Sequence, residues 1–299
     1  MFSGSFDEYF YEIYGTRWSQ LRKALQEKEK QILRINKFSI NENQYSLEKL
    51  KHSAYWLNEE FKAQNKEITR DKNNTLNYYI MDPASYLAAD SLPIEPLDKV
   101  LDMCAAPGGK SLILAEKVFL NGELIANELS ESRRERLIKV IQNYIPRDLR
   151  SNIWVKGWDA QFFGMKMTEQ FDKILLDAPC SGERHQLENL QQIKEWSLKK
   201  SQKLAQRQYS LLASAYLAVK SQGLIMYSTC SINPMENDQV IAKLLKKKKS
   251  VKPLEIPWPQ ELKTPDQKLI QPEPTEHGYL FLPDKLGFGP IYVSLLQKI

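Results

Sequence analysis

The chain has 299 residues, a formal net charge of +5 and three cysteines. That length allows one large domain or two modest ones, with a core that needs neither disulfides nor a structural metal. The odd, widely spaced cysteines argue against a disulfide framework or a zinc site and predict a reducing, cytoplasmic environment. No apolar run is long enough to span a bilayer, so we expect no membrane contact. Acidic residues occur early, which argues against a signal peptide. We also expect a monomer with no metal.

Three segments of the sequence are rich in lysine and arginine. Each segment alone is typical of a solvated helix face, but the three together favour contact with nucleic acid. The segments contain Arg133, Arg134, Arg136 and Lys139; Lys194, Lys199, Lys200, Lys203 and Arg207; and the lysine run 246–249.

The first 75 residues predict a helical N-terminal region, for which we expect an RNA-binding role. Apolar and aromatic residues recur there at helical spacing. They are Phe6, Phe10, Ile13, Tyr14, Trp18, Leu21 and Leu25. The polar stretch at 59–74 marks the expected boundary with a second domain, residues 76–299.

From residue 76 onward, short apolar strands alternate with helices. The predicted strands are 100–103, 123–127, 153–155, 173–176, 224–227, 279–282 and 291–296. This alternation predicts an α/β fold, a mostly parallel seven-stranded sheet with helices on both faces. Glycines at 287 and 289 favour a hairpin of the last two strands. The proline-rich stretch 253–274 is expected to be a surface loop.

A helix is expected to follow the second strand. Ser132 and Glu135 have the spacing of a capping box, which predicts that this helix begins at Ser132. A long helix with one apolar face is expected to precede strand 224–227.

A glycine-rich turn lies between the first of these strands and its helix. Its residues are Ala105, Ala106, Pro107, Gly108, Gly109 and Lys110. Glycines let the backbone approach a ligand, and the following helix N-terminus favours negative charge. The P-loop pattern fails because its first glycine would fall at Cys104, and the dinucleotide pattern is absent. S-adenosylmethionine is the remaining common cofactor for such a turn.

Acidic residues near the ends of the later strands give this cofactor further partners. Glu128 follows the second strand, where an acid accepts hydrogen bonds from ribose hydroxyls in nucleotide-binding folds. Asp159 follows the third strand and is a candidate partner of the adenine amino group. Asp177 ends the fourth strand.

Two cysteine motifs end successive strands: Asp177-Ala178-Pro179-Cys180 and Ser228-Thr229-Cys230. The carboxyl ends of parallel strands meet at one edge, so the spacing alone allows either thiol to act as a nucleophile. Together with residues 101–111, and with Ser181-Gly182 and Glu236-Asn237, these motifs resemble the Fmu/Sun family of RNA cytosine-5 methyltransferases. The resemblance covers residues 76–299. The N-terminal stretch and residues 288–292 are similar to a short branch that includes enzymes modifying small-subunit ribosomal RNA.

The resemblance implies a Rossmann-like class I methyltransferase fold and roles for individual residues. Cys230 is the implied nucleophile and Cys180 the implied helper in product release, whereas Cys104 is expected to pack beneath the turn. Lys110 and Arg133 are implied to lie at the cofactor, and Glu128 stands where the family more often has aspartate.

The implied reaction explains why these residue types are needed. Carbon 5 of cytosine is a poor nucleophile until a thiolate adds to carbon 6, and the thiolate is the reactive form of cysteine. Asp177 is the candidate group at N3 of the ring. Three alternatives stay open: methylation of transfer RNA, a non-catalytic RNA-binding assembly factor, and methylation of a small molecule or protein.

Overall fold

The computed structural model describes residues 4–40 and 45–299. Its helices are α1 (Phe6–Tyr14), α2 (Trp18–Gln26), α3 (Glu59–Gln64), α4 (Pro83–Asp90), α5 (Gly109–Val118), α6 (Glu131–Tyr144), α7 (Phe163–Lys166), α8 (Glu183–Leu187), α9 (Leu190–Lys194), α10 (Leu198–Ala218), α11 (Asp238–Lys247) and α12 (Pro283–Leu286). Its strands are β1 (Ile32–Ile35), β2 (Lys49–Lys51), β3 (Ala54–Trp56), β4 (Tyr78–Met81), β5 (Lys99–Asp102), β6 (Glu123–Asn127), β7 (Ile153–Lys156), β8 (Phe171–Asp177), β9 (Val219–Thr229), β10 (Val251–Leu254), β11 (Glu273–Pro274), β12 (Tyr279–Phe281) and β13 (Ile291–Lys298).

The larger sheet has the order β11-β12-β13-β9-β8-β5-β6-β7, with β10 paired to β13. Strands β5 to β9 run parallel, and β13 pairs antiparallel with β9. The predicted α/β architecture is confirmed, including the antiparallel pairing of β12 with β13. Within the described residues the sheet gains two short strands, β10 and β11, beyond the seven that the sequence predicts.

Helices cover both faces of this sheet because successive residues of its strands point to opposite sides. Val100 and Leu175 pack into a core with α4, α5 and α6. Leu101 and Ile174 pack into a second core with α1, α2, α10 and α11. This burial on both faces explains why the parallel strands read as continuous apolar runs.

The N-terminal region differs from the helical expectation. Helices α1, α2 and α3 are present, but β1, β2 and β3 form a small antiparallel sheet in the order β2-β3-β1-β4. Strand β4 lies beyond residue 75, so this sheet crosses the predicted boundary. The strands have only three or four residues each, too few for a period-2 pattern to stand out in the sequence. Residues 1–3 and 41–44 of the predicted region lie outside the described residues.

Helix α6 does not begin with the predicted capping box. The helix starts at Glu131, and Ser130 precedes it without a side-chain capping bond. The Ser130 backbone N–H instead donates to the Glu128 carboxylate at 2.9 Å. The serine that fits the capping pattern, Ser132, therefore lies within the first turn of the helix.

The stretch 253–274 contributes buried residues as well as surface. Ile256, Leu262 and Ile270 are each less than 7% exposed, and the Lys263 carbonyl accepts a hydrogen bond from Trp56 Nε1 at 3.1 Å. This segment therefore packs against the small N-terminal sheet, and the expectation of a simple surface loop is incomplete.

A buried ion pair joins the small sheet to helix α5. Arg34 of β1 donates to the carboxylate of Glu116, and the two side chains are 1% and 4% exposed. The Lys37 backbone N–H donates to the same carboxylate at 3.1 Å. The pair fixes the N-terminal sheet against the helix that follows the glycine-rich turn.

Replacing Glu116 by alanine is expected to lower the free energy of unfolding by about 3–5 kcal/mol, because the buried Arg34 guanidinium loses its counter-charge. Urea unfolding followed by circular dichroism measures the change. Glu59→Ala, which removes an exposed ion pair with Lys28, is the control and should leave the unfolding midpoint nearly unchanged. Equal effects of the two substitutions would contradict a role for burial.

Candidate active site

The glycine-rich turn connects β5 to α5 and brings the backbone close to a cavity. Gly108 has a φ of +117°, which favours glycine. A Cβ at Gly109 would lie 2.7 Å from the Tyr79 ring. Beneath the turn, Asp102 accepts a hydrogen bond from Ser111 Oγ at 2.7 Å, and burial raises the pKa of Asp102 to about 7. The glycine-rich turn is thus stabilised by the Asp102–Ser111 hydrogen bond and packed against the Tyr79 ring.

The first of three cavities lies over this turn and has a volume of about 220 Å³. Its lining combines the turn with the end of β4, the start of α4 and Asp177. Lys110 Nζ lies 2.8 Å from Asp177 Oδ2 and 3.4 Å from Ser85 Oγ. Burial acts to lower the pKa of Lys110, but the charge and hydrogen bond of Asp177, together with the charges of Cys230 and Asp82, outweigh it and the pKa is raised. Lys110 is therefore a cation held against Asp177.

The second cavity, of about 330 Å³, contains the other predicted cofactor residues. Glu128, Arg133 and Asp159 line it. Glu128 is 5% exposed, and its Oε2 has no hydrogen-bond donor among the described residues. Arg133 donates to the Ala106 carbonyl at 2.9 Å and lies 3.4 Å from the Glu128 carboxylate. Glu128 Oε2, which is ion-paired with Arg133 but accepts no hydrogen bond among the described residues, suits a ligand that carries hydroxyl groups.

Cys104 lines both of these cavities, so they adjoin at that residue. Burial raises the pKa of the Cys104 thiol well above its usual range. A protonated, half-buried thiol lies there, between the cavity lined by Lys110 and the cavity lined by Glu128.

Cys180 and Cys230 are brought together at the ends of β8 and β9. Their Sγ atoms lie 2.7 Å apart, and both thiols are free. The hydrogen bond with Cys230, together with burial, raises the pKa of Cys180 well above its usual range. Cys180 therefore keeps its proton and can donate it in a hydrogen bond to the Cys230 sulfur.

The third cavity, of about 160 Å³, opens onto Cys230. Asp82 and Ser85 line both this cavity and the first one. The cavity over the glycine-rich turn and the cavity at the Cys230 thiol therefore adjoin at these two residues, so that a ligand of the turn would lie next to a ligand of the thiol.

Asp177 lies between the turn and the cysteines with both carboxylate oxygens engaged. Ser228 Oγ donates to its Oδ1 at 2.7 Å, and Lys110 binds its Oδ2. Its side chain is nevertheless 28% exposed. The carboxylate is thus fixed in orientation and still reachable from the cavity.

Several site residues were not singled out by the sequence analysis. Asp82 caps α4 and accepts from the Gly289 N–H at 2.9 Å, and burial raises its pKa. Arg184 donates to the Gly289 carbonyl at 2.7 Å and to the Leu25 carbonyl at 3.0 Å. The aspartate-proline start of α4 was the available signal for Asp82, whereas Arg184 had none because its partners are remote in the chain.

The basic clusters remain largely on the surface. Lys194, Lys199, Lys200, Lys203 and Arg207 are exposed. Arg207 also lines the second cavity. The basic stretch of α10 therefore reaches the edge of the candidate site.

The described part of the chain contains neither a metal-binding cluster nor a membrane-spanning helix. No group of histidine, cysteine and acidic side chains in residues 4–40 and 45–299 has an arrangement that could hold a metal ion. Within the same ranges, none of the helices has the length and apolar character needed to cross a membrane.

The parallel sheet with its antiparallel β13 and the glycine-rich turn define a class I methyltransferase fold. A Pyrococcus horikoshii structure described as a methyltransferase homolog protein is similar, with a TM-score of 0.75 and 22% identity, covering 98% of this chain and 94% of that one. The family described as 16S rRNA methyltransferase RsmB/F matches residues 89–297. The chain belongs to this family, which confirms the resemblance to Fmu/Sun proteins.

Two curated relatives indicate the range of the family. The 5-cytosine rRNA methyltransferase NSUN4 of Bos taurus is 42% identical over 170 residues, covering 56% of this chain and 44% of the relative. The mitochondrial tRNA (cytosine(34)-C(5))-methyltransferase of Danio rerio is 34% identical over 234 residues, covering 74% of this chain and 61% of the relative. The chain thus spans less than two thirds of the length of either relative.

Proposed function

We propose that the protein transfers a methyl group from S-adenosylmethionine to carbon 5 of a cytidine in ribosomal RNA, through a covalent bond between Cys230 and carbon 6. The observation that carries the proposal is the adjoining pair of cavities, one over the glycine-rich turn and one at Cys230, with Cys180 2.7 Å from the Cys230 sulfur. The family and the bovine relative favour ribosomal RNA as the substrate.

S-adenosylmethionine, when bound, supplies an electrophilic methyl group on its sulfonium. The residues of the first two cavities fit it: the turn residues 105–110 and Lys110 suit its methionine part. Glu128 suits the ribose through its Oε2, which accepts no hydrogen bond among the described residues, and Asp159 lies in the same cavity for the adenine. Arg133 holds Glu128 and the turn together through the contacts described above.

The residues around the third cavity carry the chemistry on cytosine. The Cys230 thiolate adds to carbon 6, which makes carbon 5 nucleophilic toward the methyl group. As the thiolate adds, N3 of the ring takes up a proton from water, and the Asp177 carboxylate, oriented by Lys110 and Ser228, accepts a hydrogen bond from that N3–H and stabilises the adduct. After methyl transfer, carbon 5 loses its proton, the carbon–sulfur bond breaks, and the electron pair returns to Cys230.

The third cavity is reached only by a base that is out of its stack. We propose that the N-terminal region and the exposed basic residues from Lys194 to Arg207 hold the RNA on either side of that base. Arg207 at the edge of the second cavity supports this placement.

Incubation with radiolabelled S-adenosylmethionine and either total RNA or total protein tests the proposal. Label is expected in RNA, and bisulfite sequencing should place it at carbon 5 of a cytidine. Label in protein would overturn the proposal. Label in transfer RNA would favour the second candidate, for which the Danio rerio relative is the supporting observation.

Replacing Glu128 by alanine is expected to raise the dissociation constant of S-adenosylmethionine by about 10- to 100-fold, because charge-assisted hydrogen bonds to the ribose are lost. Isothermal titration calorimetry measures the change. Glu131→Ala, which alters an exposed acid in the first turn of α6, is the matched control. Unchanged binding by the Glu128 variant would remove that residue from the cofactor site.

A further inference from the structure

The residue that follows each reactive cysteine is a serine, and the two serines meet beneath the site. Ser181 Oγ and Ser231 Oγ lie 3.2 Å apart. Two buried carboxyl groups, Glu183 and Glu236, bridge them: Ser181 Oγ contacts one oxygen of each, and Ser231 Oγ lies 3.0 Å from Glu183 Oε1. The segments that carry Cys180 and Cys230 are thus joined through these four side chains.

Backbone contacts complete the connection. The Ser181 N–H donates to Glu236 Oε2 at 3.0 Å, and the Ile232 N–H donates to Glu183 Oε2 at 3.0 Å. Each glutamate therefore binds the segment of the opposite cysteine: Glu183, close to Cys180 in the chain, binds the segment after Cys230, and Glu236 binds the segment after Cys180.

The hydrogens available to this cluster do not suffice if both carboxyls are ionised. Four oxygen–oxygen contacts link the two hydroxyls and the two carboxyls, whereas the two serines supply only two hydrogens. With one further proton on Glu183, three hydrogens serve the contacts from Glu183 to Ser181, from Ser181 to Glu236 and from Ser231 to Glu183. The 3.2 Å contact between the two hydroxyls then carries no hydrogen. Glu183 and Glu236 are both 1% exposed or less, so water cannot take over the missing contacts.

The residues around Glu183 and Glu236 also favour a pair that carries one proton. Neither glutamate forms an ion pair with a basic residue of the described chain. The titratable groups that face them are Tyr9 and Tyr14 of α1, Tyr227 of β9, and Cys180. The pKa of each of these groups is raised, chiefly by burial or, for Cys180, by its hydrogen bond with Cys230. No facing positive charge balances a second negative charge.

We propose that Glu183 and Glu236 are positioning residues that share one proton and thereby hold the Cys180 and Cys230 segments at the spacing which the reaction needs. The inference rests on the proposed methyl transfer through Cys230. It adds a requirement for a protonated carboxyl pair that does not itself touch the substrate.

The replacement Glu183→Gln tests whether the pair needs a proton. The glutamine amide donates a hydrogen bond at every pH, whereas the Glu183 carboxyl donates one only while it is protonated. Burial raises the pKa of Glu183 to about 7. The single-turnover rate of the variant relative to wild type is therefore expected to rise about tenfold for each pH unit above that value. Glu183→Ala, which keeps no contact, should be slower than wild type below pH 7, where wild type holds the shared proton. Glu188→Gln, an exposed change at the end of the same helix, is the matched control.

Thermal unfolding provides a readout that needs no activity. A carboxyl whose pKa is raised on folding stabilises the protein below its unfolded pKa and loses that contribution as pH rises through its folded pKa. The melting temperature of wild type should therefore fall relative to Glu183→Gln between about pH 4.5 and 8.

Parallel pH profiles of rate and melting temperature for wild type and Glu183→Gln would overturn the proposal, as would a Glu183→Ala variant with the wild-type rate below pH 7. If wild type does not methylate RNA, the proposed function fails. The melting-temperature comparison of wild type with Glu183→Gln then still decides whether the carboxyl pair shares a proton.

Discussion

Replacing Cys230 by alanine is expected to abolish methyl transfer, with a rate loss on the order of 10⁴-fold or more, because carbon 5 of cytosine is not activated without a thiolate at carbon 6. Cys230 is the thiol that opens onto the third cavity. Labelled methyl groups recovered in RNA under single-turnover conditions measure the effect.

Controls separate the loss of a nucleophile from the loss of a thiol in general. Cys104→Ala removes a buried thiol that lies at the first two cavities, and this variant should still form the covalent protein–RNA complex. Cys230→Ala should form none. A covalent complex in Cys230→Ala would reverse the assignment of the two cysteines at the ends of β8 and β9.

Replacing Cys180 by alanine is expected to have the opposite outcome: the covalent protein–RNA complex accumulates. Cys180 keeps its proton because its pKa is raised, and its sulfur lies 2.7 Å from the sulfur of Cys230. It can therefore stabilise the Cys230 thiolate as that group leaves carbon 6. Without this donor, methyl transfer proceeds and the breakdown of the carbon–sulfur bond slows.

A denaturing gel with labelled RNA measures the amount of covalent protein–RNA complex, which appears as a slowly migrating protein band. The band should depend on S-adenosylmethionine and should be absent from the double variant Cys180→Ala/Cys230→Ala. Rapid turnover of Cys180→Ala with no such band would show that Cys180 takes no part in product release.

The sequence predicted the parts of the fold that rest on local patterns. Strands β5, β6 and β8 are buried apolar runs, and the amphipathic pattern of α10 extends over 21 residues. The small N-terminal sheet escaped prediction because its register is set by non-local pairing. Ile32, for example, pairs with Trp56 and with Met81. No periodicity within one segment reports such pairing.

The residues of the candidate site likewise fall into those that local patterns predict and those that depend on non-local contacts. The ends of the parallel strands predicted that Asp177, Cys180 and Cys230 would converge, since all three follow neighbouring strands. The convergence of Glu183 with Glu236 depends on how two loops fold back, which a strand pattern does not describe. The wrong prediction for the start of α6 has a related cause. The backbone N–H of Ser130, the residue before the helix, donates to the Glu128 side chain, and a capping-box pattern does not describe that contact.

The position of β13 has a consequence for the way the protein is made. This strand follows every other strand of the larger sheet in the chain, yet it lies inside the sheet between β9 and β12. A ribosome that synthesises the chain therefore exposes β5 to β9 long before the partner of β9 emerges. Thr229, next to Cys230, pairs with Tyr292 of β13. The segment that carries Cys230 therefore gains its second neighbouring strand only when β13 joins the sheet.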